Sequence, residues 1–348
     1  VLASRAGPQH SGGMGADQDA RGVRDPCAGP AAEARAALVR RIAATGVLRD
    51  PAWRAAFAEV PRHLFVPYYY VPTFAGYERL WSGDPDPGRR ERWLRGAYAD
   101  GPLATRIREG ELVSSGSRPS LMARMLDALE AADGHRVLEI GTGTGYNAAL
   151  LAHRLGDPLV TTVDVDREIA DSARDHLAAA GHHPAVITGD GAGGCPGRAP
   201  FDRVIATCAL PSVPRAWLPQ CVPGGLVLAP LANGLAVLRV RDEGHAEGRF
   251  LNSPAYFVPL RGGGQVRTTP PHTGGLPRRV VESEQFRFLL TLTAGVLDPH
   301  EALALWQREG RPERERFGVT VRGDSQWAWL DDPEGPYAWP LEAPGSAG

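Results

Sequence analysis

Lysine does not occur in the 348 residues, so all 38 basic side chains are arginine. They nearly balance 40 acidic residues, and the formal net charge of −2 gives no overall attraction to nucleic acid or to an anionic membrane. Cysteine is almost as scarce. Cys27, Cys195, Cys208 and Cys221 form no C-x-x-C pair and no Cys/His cluster with zinc spacing, so neither a metal centre nor a disulfide framework is expected. Cys208 and Cys221 sit in apolar surroundings and read as reduced core thiols, as in a cytoplasmic protein. Long hydrophobic runs are missing too. Nothing approaches the roughly 20 apolar residues that span a bilayer, and the N-terminal region lacks the apolar stretch of a secretory signal. A cytoplasmic chain without membrane or nucleic-acid partners is expected.

What is present is periodicity. Residues 1–31 carry Gly, Ala, Asp and Arg without a period and read as a disordered tail. Ala37, Leu38, Ile42 and Ala43 have helical spacing within 32–45, and Pro51 suits the first turn of a second helix ending at Glu59. Residues 68–96 show no steady period and read as a long inserted loop. After a helix at 121–129, strands at 136–140, 159–163, 185–188, 203–206 and 225–229 follow at βα-unit spacing, with helices at 147–155 and 167–180. Further strand-like runs are 236–240 and 256–260. The Gly-, Thr- and Pro-rich residues 261–275 mark a boundary. The expected organisation is a catalytic α/β domain over 32–262, with the 68–96 insertion, and a small accessory region over 263–348. Trp306, Trp327, Trp329 and Trp339 in that region either form a small core or line a peptide groove.

The chemistry concentrates where the alternation begins. Gly141, Gly143 and Gly145 follow an apolar strand and precede a helix, where the absence of Cβ lets the backbone turn sharply and approach a ligand. The pattern is E-x-G-x-G-x-G, not the G-x-G-x-x-G of dinucleotide sites, and it suits a ligand without pyrophosphate. Glu139 adds a carboxylate able to face an ammonium. Asp164 ends the second strand, 19 residues beyond Gly145, where an acid can hold both ribose hydroxyls. Asp166 suits the cap of the following helix. Asp190, in Gly189-Asp190-Gly191 after the third strand, can reach an adenine amino group. In register at the carboxyl ends of the strands, these groups point to S-adenosylmethionine. The expected cofactor-binding set is Glu139, Gly141, Thr142, Gly143, Gly145, Asp164, Val165, Asp190 and Gly191, in a Rossmann-like methyltransferase fold with a doubly wound, mostly parallel sheet.

Beyond that turn, residues 35–240 resemble the protein-L-isoaspartate O-methyltransferases. The segments concerned are Val60-Pro61-Arg62-His63-Leu64-Phe65-Val66, Tyr98-Ala99-Asp100-Gly101-Pro102-Leu103, Ser117-Arg118-Pro119, Pro200-Phe201-Asp202-Arg203-Val204-Ile205 and Pro223-Gly224-Gly225. The resemblance implies a carboxyl O-methyltransferase with a peptide substrate. Two departures stand out: the family's T-I-S reads Ser115-Gly116-Ser117, and its Gln is Arg118. Together with the insertion, the C-terminal region, and the runs Glu91-Arg92-Trp93-Leu94, Thr207-Cys208-Ala209 and Gly248-Arg249-Phe250-Leu251, they resemble a divergent branch found beside ATP-grasp ligases. That branch methylates an aspartate of a ring-closed ribosomal peptide, a graspetide; a sister branch acts on lanthipeptides.

The acceptor carboxylate is already ionised at pH 7, so no general base is needed. Ser117, assisted by Ser115, is expected to orient it, and Arg118 to pair with it; the same serine-rich loop can instead simply cap the next helix. Three rival readings remain: repair of isoaspartyl residues in aged proteins, a binding module that lost the chemistry, and a nucleic-acid methyltransferase. The intact Glu139, Asp164, Asp190 and Ser117 oppose the second. Ala206-Thr207-Cys208-Ala209, where a base-flipping enzyme would carry N/D-P-P-Y, opposes the third.

Overall fold

The computed structural model describes residues 27–74, 76–262, 273 and 275–341. The expected tail lies outside them up to residue 26, and the chain is helical from Ala28 onward, four residues earlier than its periodicity suggested. The N-terminal helices are α1 (Ala28–Ala43), α2 (Pro51–Glu59) and the single turn α3 (Arg62–Phe65). Asp50 caps α2 by accepting from Ala52 N, and Pro51 takes the first turn, where its missing N–H costs nothing.

The stretch expected to be a loop is ordered. Residues 68–96 form a hairpin, β1 (Tyr68–Thr73) and β2 (Gly76–Trp81), followed by α4 (Pro87–Ala97), capped by Asp86. With β3 (Leu103–Arg108) and β4 (Glu111–Gly116) they make a four-stranded antiparallel sheet ordered β2-β1-β3-β4. Periodicity missed this hairpin because its aromatic residues fall on both faces. Tyr69 and Leu80 are buried, while Tyr77 and Trp81 stay exposed.

The second sheet begins after α5 (Pro119–Ala128) with β5 (Val137–Ile140). It continues through α6 (Tyr146–Leu155), β6 (Val160–Asp164), α7 (Arg167–Ala179), β7 (Ala185–Thr188), β8 (Phe201–Ala206), β9 (Cys221–Leu231), β10 (Gly234–Asp242) and β11 (His245–Pro254). After α8 (Arg278–Val281), α9 (Glu284–Leu292) and α10 (Pro299–Arg308), the chain adds β12 (Phe317–Arg322), β13 (Ser325–Leu330) and β14 (Ala338–Pro340). The sheet order is β14-β13-β12-β11-β10-β9-β8-β5-β6-β7. Strands β5 to β9 pair in parallel and those beyond β9 antiparallel, so the sheet is mixed rather than mostly parallel. This is the Rossmann-like architecture expected, with a longer antiparallel arm.

The C-terminal region pairs onto this arm. β12 lies along β11, with Gly248 opposite Val319, and α9 and α10 cover one face of the shared sheet. Phe286, Phe288, Phe317 and Trp339 are buried there with Val227 and Leu238 of the central strands. Of the four tryptophans, Trp306, Trp329 and Trp339 are buried, as a core requires. The boundary expected at 261–275 falls mostly outside the described residues. The run at 256–260, expected to be a strand, makes only bridges: Ala209 N donates to Val258 O, and Leu260 N to Ala209 O.

Candidate active site

β5 is the topological switch point. The chain runs from β5 through β6 to β7 on one side, then crosses to β8 on the other, leaving a crevice at the strands' carboxyl ends. The glycine turn closes that end of β5. Gly141 N donates to Val163 O at 2.8 Å, which ties the turn to β6. Gly141 has φ +97°, and a Cβ there would sit 2.8 Å from Thr207 Oγ1 at the end of β8. Gly145 has φ +86°, and a Cβ would press on Ala173 of α7. Both glycines are therefore required by geometry.

Beneath the turn runs a buried polar chain. Thr142 Oγ1 and Thr162 Oγ1 lie 2.8 Å apart; Thr162 Oγ1 donates to Glu139 Oε2 at 2.6 Å, and Asn147 Nδ2 to Glu139 Oε1 at 2.8 Å. Glu139 is wholly buried, and desolvation pushes its carboxyl up to about 7 despite those two donors. Asn147 Oδ1 lines the same cleft with no hydrogen-bond partner among the described residues. An orphaned amide oxygen beside a carboxylate suits an incoming ammonium, and this fits the methionine end of the expected cofactor.

Asp164 stands where the sequence put it. Its Oδ2 accepts from Gly143 N at 3.1 Å and its Oδ1 from Asp166 N at 3.1 Å; burial raises its pKa against those bonds. Asp166 caps α7 by accepting from Glu168 N and Ile169 N. Val165 and Gly191 also line the cleft. Asp190 does not. Its carboxylate accepts from Ala192 N at the turn Gly191–Gly193 and lies against Gly262, beside the cleft-lining Arg261.

The opposite wall comes from the small sheet. Ser114 and Ser115 of β4, and Ser117 just beyond it, line the cleft facing the glycine turn. Arg62 holds this wall in place. It is buried, stands over the Tyr146 ring at 5.8 Å, and donates through Nη2 to Ser117 O at 3.1 Å and through Nη1 to Ala97 O. Arg118 lies outside the cleft, with Nε 3.3 Å from Asp100 O. Cys208 is buried at the cleft floor, and burial pushes its thiol up to about 12, which makes it an inert wall.

A model of the family described as protein-L-isoaspartate(D-aspartate) O-methyltransferase matches residues 89–265. A protein-L-isoaspartate O-methyltransferase 1 from Anaeromyxobacter sp. (strain Fw109-5) is 39% identical over 234 residues, 65% of this chain and 95% of that protein. The chain belongs to the protein-L-isoaspartate O-methyltransferase family. It is an S-adenosylmethionine-dependent carboxyl O-methyltransferase. A relative from Methanosarcina mazei is 34% identical over 221 residues, 62% of this chain and 79% of its own. A solved structure named as a protein-L-isoaspartate O-methyltransferase shares the fold, with a TM-score of 0.58 at 23% identity, covering 88% of this chain and 98% of its own. That coverage reaches into the C-terminal region, since residues 1–262 are only three quarters of the chain.

Two parts of this methyltransferase's cleft escaped the sequence reading. Asn147 carried a usable signal, being the one polar side chain in the otherwise apolar run 146–152. Residues 258–261 carried none. They close the cleft from far along the chain, and Arg261 reaches Asp164 Oδ1 and Asp166 Oδ2, each at 3.4 Å. Among the described residues there is no cluster of metal-ligating side chains, and no helix is long and apolar enough to cross a membrane.

Proposed function

We propose that this enzyme methylates an aspartate side-chain carboxylate within a peptide, and that its acceptor is a ring-closed ribosomal peptide of the graspetide class. The observation that carries the acceptor reading is the wall of serines, Ser114, Ser115 and Ser117, lining the cleft opposite the glycine turn with no acid or base among them. An ionised carboxylate needs no base, only donors to orient it. Bound S-adenosylmethionine supplies a methyl group on a sulfonium sulfur. Glu139 and Asn147 hold its ammonium and Asp164 its ribose; Ser117, with its backbone fixed by Arg62, aims the acceptor oxygen, assisted by Ser115. Alignment of that kind is worth on the order of 7–11 kcal/mol. The ester is then open to attack by the next backbone nitrogen. An N–C bond forms, the C–OCH3 bond breaks, and the amide proton leaves with methanol, giving an aspartimide that either persists or is hydrolysed to isoaspartate, depending on the substrate.

Support for the dedicated peptide comes from Arg118, a cation outside the cleft but next in sequence to cleft-lining Ser117, where the family segment carries Gln. A guanidinium there, 3.8 Å from the Asp100 carboxylate, favours an acidic acceptor that can take over that pairing. A second reading, repair of isoaspartyl sites in aged proteins, is favoured by the relatives' names and by the structural match that extends into the C-terminal region. Incubating the enzyme and S-adenosylmethionine with a side-chain-cyclised aspartyl peptide, its linear form and an isoaspartyl peptide separates them. A methyl ester formed fastest on the cyclised peptide is expected. Methylation of the isoaspartyl peptide alone would establish repair.

A further inference from the structure

The hairpin β1–β2 carries a surface that the methyl transfer does not use. Its back is anchored. Tyr69 and Leu80 are buried against α4, Tyr69 OH donates to Trp93 O at 3.1 Å, and Glu78 accepts from Arg89 and Arg92. Its front is left bare by the described residues. Tyr68 opposes Trp81, Tyr70 opposes Arg79, and Pro72 opposes Tyr77. Cross-strand partners share a face, so these six residues form one patch. Arg79 stands at its centre, 4.7 Å from the Tyr68 ring and 5.5 Å from the Trp81 ring. Tyr77 is 56% exposed and Trp81 38%. Aromatic rings held out on a rigid back, with a cation between them, form a surface built to be covered.

Register says what would cover it. Tyr70 pairs with Ala104 of β3, and Ala104 pairs with Ser115 of β4, so the patch and the cleft-lining serine lie on the same face of one sheet. At about 4.8 Å per strand, Tyr70 is roughly 10 Å from Ser115 and Arg79 roughly 15 Å. An extended peptide advancing about 3.3 Å per residue covers that distance in three to five residues. Charge narrows the choice. Arg106 and Arg108 of β3 are committed to Glu168 and Asp166 of α7, and among the described residues Arg79 is the cation set between the patch's rings.

We propose that this patch is a docking platform for the acceptor peptide itself. It receives the residues three to five positions from the methylated carboxylate and selects aromatic and acidic side chains there. The proposal rests on the peptide-methyltransferase reading above, so its test includes a binding measurement that needs no turnover. The probes are two fluorescein-labelled decapeptides with Asn in place of the acceptor, one with Phe and Glu at the flanking positions and one with Ser at both. A matching pair bears isoaspartate for kinetics.

The full chain should bind the Phe/Glu probe at least tenfold more tightly than the Ser probe. The double variant Tyr77→Ser, Trp81→Ser should erase that difference and raise KM with kcat and S-adenosylmethionine affinity unchanged. Arg79→Glu should reverse the preference from a Glu flank to a Lys flank, an outcome that misfolding cannot mimic. Equal affinity of the two probes for the wild-type chain would overturn the proposal. So would a dimer in solution that the double variant dissolves, because the patch would then be a self-association face. Selective probe binding without methylation of either isoaspartyl peptide would sustain the platform and count against isoaspartyl activity instead.

Discussion

The two walls of the cleft solve different problems. On the wall built from β5, β6 and α6, polar side chains are buried and bonded to one another, with Thr142, Thr162, Glu139 and Asn147 in one chain. On the wall built from β4, Ser114, Ser115 and Ser117 line the opening, and the same sheet leaves aromatic rings to solvent. A cofactor of fixed shape rewards a preorganised, dry receptor; a peptide of variable sequence is better met by a surface whose contacts form on binding. The same contrast makes the two walls separable by mutation.

The largest effect tests that separability at glycine. Gly141→Val forces a β-branched residue to φ +97° against Thr207, and S-adenosylmethionine affinity should fall by about 100-fold or more, read by calorimetry. Gly110, in the β3–β4 turn, has a similar φ of +82° but nothing among the described residues within 4 Å of its would-be Cβ. Gly110→Val should therefore carry similar backbone strain and leave cofactor affinity intact. Loss of cofactor binding in both variants would mean that the walls are one unit.

The next effect lies on the hydroxyl wall. Ser117→Ala should lower kcat by about 10- to 100-fold, the worth of one hydrogen bond to a charged acceptor, with cofactor affinity unchanged. Ser115→Ala should cost less. Single-turnover methylation alongside calorimetry checks both, and a parallel fall in cofactor affinity would remove the serines from the acceptor side.

The walls also differ in how well they can be read from sequence. Glycine spacing, the acids within β5 and at the end of β6, and the apolar strands marked the turn of the first wall, though not Asn147, because a turn that must approach a ligand leaves few choices of side chain. Asp190 was less legible: its tripeptide reads the same whether the carboxylate faces a ligand or caps the turn at Gly191–Gly193, and in the structure it accepts from Ala192 N. The second wall was legible only as motif segments. Arg62 appeared as one letter in Val60-Pro61-Arg62, and its bond to Ser117 O spans 55 residues. The hairpin lacked the alternation of a half-buried strand because exposed Tyr and Trp count as apolar in any pattern. Likewise β13 and β14, short and Trp-rich, gave no period of their own.

A third effect sharpens the electrostatics of the dry wall. Glu139 holds its proton up to about pH 7, well above its ordinary value of 4.5. Its contribution to stability is thus complete below about pH 4.5 and lost as pH rises through 7. Cofactor binding runs the opposite way, because an ammonium beside Glu139 calls for the carboxylate. Affinity should fall by up to about tenfold per unit as pH drops from 7 toward 4.5, with a proton released on binding. Calorimetry in buffers of different ionisation enthalpy counts that proton. Glu139→Gln should flatten the slope, and an unchanged slope would move the titration to another group.

The smallest effect concerns the residue that joins the two halves of the comparison. Arg261 arrives from residues 258–261 and sits on Asp164 and Asp166, each at 3.4 Å, with its side chain 27% exposed. Long, partly solvated ion pairs of this kind are worth about 0–1 kcal/mol. Yet the oxygen engaged, Asp164 Oδ1, belongs to the carboxylate proposed to hold the ribose. Arg261→Ala should consequently tighten S-adenosylmethionine binding by about two- to fivefold, since the cofactor no longer displaces a guanidinium. Added salt should bring the wild type toward the variant by screening the same pair. Weaker binding by the variant would give the opposite assignment: Arg261 would then close over the bound cofactor as part of the dry wall, and the 258–261 strap would belong to the receptor rather than compete with its ligand.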